Sequence, residues 1–189
     1  MQTPGAVEMR LRNGDGRYGA LAQFFHWATV ALVVALLAIA AYMTGLPLSP
    51  EKIQVYNLHK SLGVLVLALT LLRLVWRWLS PPPALPAGMS AWERRAARTS
   101  HLLLYLLLFA QPLTGIVHSW SANFPVVIFG WLTLPNLIGP DQWLKEILEE
   151  THHLMGWALC GLFLVHAAAA LRHHFQLKDD VLRRMLPWG

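Results

Sequence analysis

Cysteine is nearly absent from the sequence, since Cys160 is the only one among 189 residues. A single thiol excludes an internal disulfide, a cluster of thiolate ligands and covalent cofactor attachment through a C-x-x-C-H motif. Leu159, Gly161 and Leu162 surround Cys160, and in such a neighbourhood cysteine is typically a small buried apolar residue. Any cofactor of this protein is therefore held without a covalent bond.

Charged residues are also scarce. They make up 13% of the sequence against 56% hydrophobic residues, whereas ordinary soluble domains carry about 25% charged residues. This composition predicts an integral membrane protein. The net charge of +5 does not indicate nucleic-acid binding, because the basic residues flank apolar runs and form no basic surface interleaved with aromatics. The chain has room for about four spans of ~20 residues, so we expect one membrane domain over residues 1–189.

Long apolar runs, separated by prolines and glycines, locate the spans. Gly45 ends the first run, and the prolines at 81–83 end the second. A predicted capping box at Ser90 begins a short amphipathic lead-in to the third span, and Asp141 is the predicted N-cap of the last. Residues 121–140 form an apolar connection that we expect in the membrane interface. The predicted spans cover about residues 20–42, 54–78, 99–120 and 144–174.

Lysine and arginine are distributed unevenly between the two sides of the membrane that four spans define. Three lie on one side: Lys52, Lys60 and Lys145. Twelve lie on the side that both termini share: Arg10, Arg12, Arg17, Arg73, Arg77, Arg94, Arg95, Arg98, Arg172, Lys178, Arg183 and Arg184. Because cytoplasmic segments are enriched in these residues, we expect both termini in the cytoplasm.

Four histidines lie inside the apolar runs, where an ionisable residue is costly and usually marks function. His152 and His166 are 14 residues apart on one predicted helix. That spacing returns the second ring to within about 40° of the first, about 21 Å further along the axis. His26, near the cytoplasmic end of the first span, matches His166 in depth. His59, near the outer end of the second span, matches His152.

Two histidine pairs at two depths predict two bis-imidazole sites stacked across the membrane. Paired imidazoles are typical ligands of haem iron in electron transfer. A di-iron bundle is an alternative, because Glu149 and His152 form a Glu-x-x-His element. Such a site needs further carboxylates, and the apolar parts of the first three spans contain none. Gly63 and Gly156, each one turn after a histidine, leave room for a flat macrocycle, although glycine also serves close helix packing.

His153 is the competing candidate for His152. Its spacing of 13 residues to His166 turns its ring by more than about 100° from the shared face, so we favour His152.

Several longer motifs resemble one family. They are FFHW around His26, NLHKSLG around His59, RLVWRWLSPPP from Arg73, HLLLYLLLFAQPLTG from His101, and HAAAALRHHFQLKDDVLRRMLP from His166. On these motifs the chain, from about residue 17 to 187, resembles the prokaryotic cytochrome b561 family. The resemblance implies an all-α transmembrane four-helix bundle in the bacterial inner membrane with two haem b groups. It assigns His26 with His166 to the cytoplasmic-side haem, and His59 with His152 to the outer haem.

Five further residues are weaker candidates. Arg73 and Arg77 lie four apart near the inner boundary and are candidate partners of haem propionates, with snorkelling to lipid headgroups as the alternative. His101 is a candidate propionate or quinone contact, with an interfacial hydrogen bond as the alternative. The resemblance implies a quinone contact for His173 and His174, which lie where the last helix leaves the membrane.

The resemblance also implies ubiquinone as one redox partner. The family includes an oxidase that passes electrons from periplasmic superoxide through both haems to ubiquinone, and a second hypothesis is a membrane cytochrome serving a separate periplasmic or membrane redox protein. Superoxide is an anion, and three lysines on the outer face do not favour its steering unless they cluster beside the haem. Five carboxylates oppose them: Glu51, Asp141, Glu146, Glu149 and Glu150.

Overall fold

A computed structural model of the protein describes residues 11–14 and 16–188, so Arg10 of the predicted basic set lies outside the described residues. The described part contains four long helices and two short strands: α1 Ala20–Gly45, α2 Pro50–Leu79, α3 Ala91–Ser121, β1 Val126–Ile128, β2 Leu132–Leu134 and α4 Gln142–Arg172. A π-helical turn, His173–Leu177, continues α4. All four helices are long and apolar enough to cross a membrane. The prediction of a mainly helical protein with four membrane spans is confirmed.

The starts of α3 and α4 follow the capping signals predicted from the sequence. Ser90 and Glu93 form the predicted capping box, and the Asp141 side chain accepts a hydrogen bond from the Leu144 backbone at 2.9 Å. The predicted lead-in before residue 99 is therefore the first two turns of α3 itself. Since no proline or glycine follows Ser90 before Pro112, nothing separates the two segments.

The helices pack in chain order, α1 on α2, α2 on α3 and α3 on α4, while α1 and α4 make little direct backbone contact. Each helix contributes one buried residue to a central apolar cluster: Val33, Val66, Leu108 and Leu159. Most other large apolar side chains are exposed, among them Leu72 and Leu164. An apolar exterior around a small core is the arrangement expected where lipid surrounds a bundle.

A β-hairpin between α3 and α4 was not expected from the sequence, which predicted only an apolar connection in the membrane interface. Val126 pairs with Leu134 and Ile128 with Leu132 in an antiparallel register. Ser61 of α2 binds the hairpin, because its Oγ accepts from the Phe129 backbone amide at 2.9 Å. We call this end of the bundle the hairpin end.

The opposite end, which we call the terminal end, is covered by three segments that hydrogen-bond to one another. Asn13 donates from Nδ2 to the Ser80 carbonyl at 2.7 Å, at the start of the linker between α2 and α3. Arg17 donates to the Leu186 carbonyl at 2.7 Å. Arg184 donates to the Ala84 carbonyl at 2.7 Å. The described N-terminal segment, the linker and the C-terminal segment thus form one cover, which we call the cap.

Candidate functional site

The hairpin-end pair is formed by His59 of α2 and His152 of α4. Their ring centroids are 6.3 Å apart and their planes are inclined by 73°. His153, the next residue, is exposed on the outside of the bundle. The structure therefore directs His152 toward α2, as the helical spacing predicts.

Three residues of α3 surround His152. Thr114 Oγ1 lies 3.0 Å from Nδ1 of the ring. Gln111 donates from Nε2 to the His152 backbone carbonyl at 2.9 Å. A Cβ atom at Gly115 would lie 3.0 Å from Cε1 of His152, so a larger residue there would require the ring to shift by a few tenths of an ångström. None of these three residues was predicted as a site residue from the sequence.

The terminal-end pair is formed by His26 of α1 and His166 of α4. Their ring centroids are 6.4 Å apart and their planes are inclined by 62°. Arg73 donates from Nη2 to Nδ1 of His26 at 3.1 Å. The His101 ring lies 5.4 Å from that of His166, closer than the ring of His26. Three histidines and one arginine thus meet at this level.

A cavity opens beside the terminal-end pair, between the bundle core and the cap. Its deep wall is apolar and includes Val33, Leu108 and Leu159. The wall toward the cap is also largely apolar, but the cationic side chains Arg73, Arg77 and Arg184 line this end of the cavity. No carboxylate occurs among the described residues that line the cavity. Such a cavity suits an elongated apolar molecule with an anionic end.

Tyr105 links the two arginines of α2 that line this cavity. The guanidinium carbons of Arg73 and Arg77 lie 5.3 and 5.9 Å from the centroid of its ring. Tyr18, just before α1, lines the same wall. Burial raises the pKa of the Tyr18 phenol although Arg77 and Arg73 act in the opposite direction, so this hydroxyl is neutral at physiological pH.

The remaining histidine candidates lie elsewhere. His173 is buried in the π-helical turn, where its Nδ1 contacts the Asp179 carboxylate at 2.5 Å. Neither His173 nor His174 lines the cavity. Nδ1 of His174 is buried and has no hydrogen-bond partner among the described residues. Of the three weaker histidines, only His101 lies with a histidine pair.

Both pairs have a spacing that suits one metal ion between two rings. A metal lies about 2.0 Å from an imidazole nitrogen, and the ring centroid lies about 1.1 Å behind it, so opposed rings have centroids about 6.2 Å apart. The observed separations of 6.3 and 6.4 Å are close to that value. A Cβ at Gly63 would meet no atom within 4 Å, so open space adjoins His59. The donor types and spacings fit haem.

The spacing of polar and small residues on α3 is the sequence pattern that could have identified the neighbours of His152. Gln111, Thr114 and Gly115 stand at positions i, i+3 and i+4, and therefore on one face of the largely apolar middle part of α3. Tyr105 follows His101 by four residues and shares its face. A polar stripe in a transmembrane helix indicates contact with a neighbouring helix or a site.

Comparison with known proteins shows which family the chain resembles. Residues 17–188 match the family described as prokaryotic cytochrome b561. The chain is 35% identical to cytochrome b561 homolog 2 of Escherichia coli K12, over 94% of this chain and 95% of that protein. It is 31% identical to cytochrome b561 homolog 1 of the same organism, over 90% of this chain and 97% of that protein. It is 28% identical to the probable superoxide oxidase CybB of Yersinia pestis, over 90% and 96%.

Proposed function

The chain belongs to the prokaryotic cytochrome b561 family of membrane electron-transfer proteins, and we propose that it carries electrons across the membrane between two bound haem b groups. His26 and His166 are the proposed axial ligands of one haem, and His59 and His152 those of the other. The observation that carries this proposal is the pair of ring separations, 6.4 and 6.3 Å, at two levels of α4. Those levels are 14 residues, or about 21 Å, apart.

Haem iron held by two imidazoles gains and loses one electron with little ligand rearrangement. The chain's own residues hold the rings and exclude water through the apolar core between the two levels, where Val66 is 2% exposed. At the terminal end, Arg73 and Arg77 are the proposed partners of the haem propionates, since guanidinium groups pair well with carboxylates.

In this proposal, Arg73 changes its hydrogen-bond partner when haem binds. A guanidinium group only donates hydrogen bonds, so its contact with His26 assigns the ring proton to Nε2. A metal ligand needs an unprotonated nitrogen, so ligation through Nε2 requires Arg73 to leave this ring. A haem propionate would then accept the hydrogen bond that Arg73 now donates to His26.

Haem content of histidine variants tests the assignment. His26→Ala and His166→Ala should lose the same haem, and His59→Ala and His152→Ala should lose the other. His153→Ala and His101→Ala should each retain both. The haem that remains in each single variant shows that the bundle has folded. Two haems in any of the four proposed ligand variants would contradict the assignment, as would purification of a folded, colourless protein.

Ubiquinone is the proposed electron acceptor and superoxide the proposed donor. Two superoxide anions would each lose one electron to become dioxygen, and one ubiquinone would gain two electrons and two protons to become ubiquinol. The similarity to the probable superoxide oxidase CybB of Yersinia pestis supports this choice of donor. His101, which lines the terminal-end cavity beside the proposed haem, is the proposed contact of the quinone or of a haem propionate.

A second candidate function is electron transfer from a separate periplasmic or membrane redox protein. The lysines of the hairpin end favour it, because each of them is bound by a carbonyl or a carboxylate. Lys52 donates to the Leu46 carbonyl, Lys60 to the Pro125 carbonyl, and Lys145 pairs with Glu149 at 4.0 Å. Without a cluster of free cations, steering of an anion is weak.

Stopped-flow spectroscopy separates the two candidates. If superoxide is the donor, a superoxide pulse should reduce the purified cytochrome at a near-diffusional rate, and added ubiquinone should reoxidise it. If a protein is the donor, the pulse should leave the cytochrome oxidised while a co-purified redox protein reduces it.

The proposed location is the bacterial inner membrane, with the terminal end in the cytoplasm. The described basic residues support this orientation, because Arg17, Arg73, Arg77 and Arg184 all lie at that end.

A further inference from the structure

We propose that Thr114, supported by Gln111 and Gly115, is a positioning residue that selects the ring tautomer with which His152 binds haem iron. This inference rests on the proposed function, in which His152 is an axial ligand. It assigns a role to the QPLTG segment of α3, which contains no ligand itself.

The Thr114 hydroxyl can donate only one hydrogen bond. It has one hydrogen, and Oγ1 lies 2.8 Å from the Gln111 backbone carbonyl, to which it donates. Toward Nδ1 of His152, at 3.0 Å, the same oxygen can then only accept. The ring proton must therefore be on Nδ1.

The position of this proton determines whether Nε2 of His152 can bind a metal. A neutral imidazole with its proton on Nδ1 has an unshared electron pair on Nε2, which is the state that a metal requires. The hydrogen bond from Nδ1 to Thr114 also increases the basicity of the ring. A more basic ligand stabilises the oxidised iron, so this contact lowers the midpoint potential of the outer haem.

The His152 ring fits closely against α3. Gln111 holds the His152 backbone through its carbonyl at 2.9 Å. Gly115 lets the ring approach, since a Cβ there would lie 3.4 Å from Nδ1 and closer still to Cε1. Both contacts limit rotation of the ring about its bond to the backbone. No comparable contact holds His59, whose Nδ1 is buried without a hydrogen-bond partner among the described residues.

Thr114→Val tests the proposal, because valine keeps the shape of threonine and removes the hydroxyl. We expect it to weaken retention of the outer haem roughly 10- to 100-fold, the usual effect of losing such a partner. In the fraction that retains this haem, the midpoint potential should rise and the electron paramagnetic resonance g-values should shift. Thr114→Ser, which restores the hydroxyl, should return all three measurements to those of the unaltered protein.

Two controls separate this role from general effects on folding. Thr44→Val removes a hydroxyl that bonds only to its own helix, at the Ala40 and Ala41 carbonyls, and should change nothing. Gly115→Ala should displace the His152 ring and shift the g-values. Gly161→Ala, at an exposed site with no atom within 4 Å of the new Cβ, should not.

The outcomes distinguish this inference from the proposed function. Wild-type haem content, potential and g-values in Thr114→Val would overturn the positioning role, and so would a Thr114→Ser protein that behaves like Thr114→Val. A His152→Ala protein that keeps both haems would overturn the proposed function itself, whatever the result for Thr114.

Discussion

Tyr105 shows how a single residue organises the charge at the terminal end. Its ring contacts the guanidinium groups of Arg73 and Arg77, which carry like charges four residues apart on α2. The negative face of an aromatic ring attracts each cation and partly offsets their mutual repulsion. Because α3 provides the ring and α2 the arginines, the contact also holds the two helices together.

Replacing Tyr105 with leucine should therefore destabilise the protein. The loss of two cation–π contacts should lower the free energy of unfolding by about 1–2 kcal/mol, seen as a lower thermal unfolding midpoint in detergent. Tyr105→Phe keeps the ring and should stay near the wild-type value. Equal losses in both variants would show that the phenol hydroxyl, and not the ring, makes the important contact.

Among single residues, the helical period predicted which histidines share a face, but the neighbours of each ring could not be predicted. The contact of Arg73 with His26 and the approach of His101 to His166 join residues of different helices. Such contacts depend on how far each helix is rotated about its own axis. The sequence of one helix does not determine that rotation.

At the scale of elements, the hairpin depends on one buried serine of α2. Ser61 is 1% exposed, and its Oγ lies within hydrogen-bond distance of the Asn57 carbonyl, the Val127 carbonyl and the Phe129 amide. Lys60, the preceding residue, adds a 2.7 Å bond to the Pro125 carbonyl. A strand pair this short is not stable alone in water, so α2 supplies much of its stability.

Ser61→Ala should loosen the hairpin while the helices remain folded. The Phe129 amide would lose its acceptor, at a cost of about 1–3 kcal/mol. Hydrogen exchange measured by mass spectrometry should therefore become faster by an order of magnitude or more in residues 126–134. Ser100→Ala is the matched control, since Ser100 bonds only to Ala97 of its own helix. Unchanged hairpin exchange in Ser61→Ala would contradict this account.

The starts of α3 and α4 were predictable because capping is local. Ser90, Glu93 and Asp141 act within four residues of their own positions in the chain. The hairpin was not predictable in the same way. Its strands are three residues long, and its main anchor, Ser61, lies more than 60 residues away along the chain.

At the scale of the whole molecule, the cap depends on a close approach at Gly19. A Cβ atom there would lie 2.4 Å from the Leu11 carbonyl oxygen and 2.5 Å from the carbonyl carbon and oxygen of Arg12. These are backbone atoms, so the N-terminal segment would have to move. The Asn13 and Arg17 bonds to the linker and the C-terminal segment would then be strained or lost.

Gly19→Ala should detach this segment and expose Arg17 to trypsin. Cleavage after Arg17 should be faster in the detergent-solubilised variant than in the unaltered protein, because proteolysis requires local opening. Gly16→Ala should cleave at the original rate, since a Cβ at Gly16 meets no atom of the described residues within 4 Å. Equal rates for all three proteins would show that the segment does not depend on contact at Gly19.

The sequence by itself determined the approximate spans, the caps of α3 and α4 and the histidines that share a face of α4, because hydropathy, capping and the helical period act over a few residues. Only the tertiary structure decided which side chains meet: Thr114 with His152, Arg73 with His26, and the three segments of the cap. Each of these contacts joins segments far apart in the chain. Their geometry follows from the mutual rotation and depth of packed helices, which no local pattern specifies.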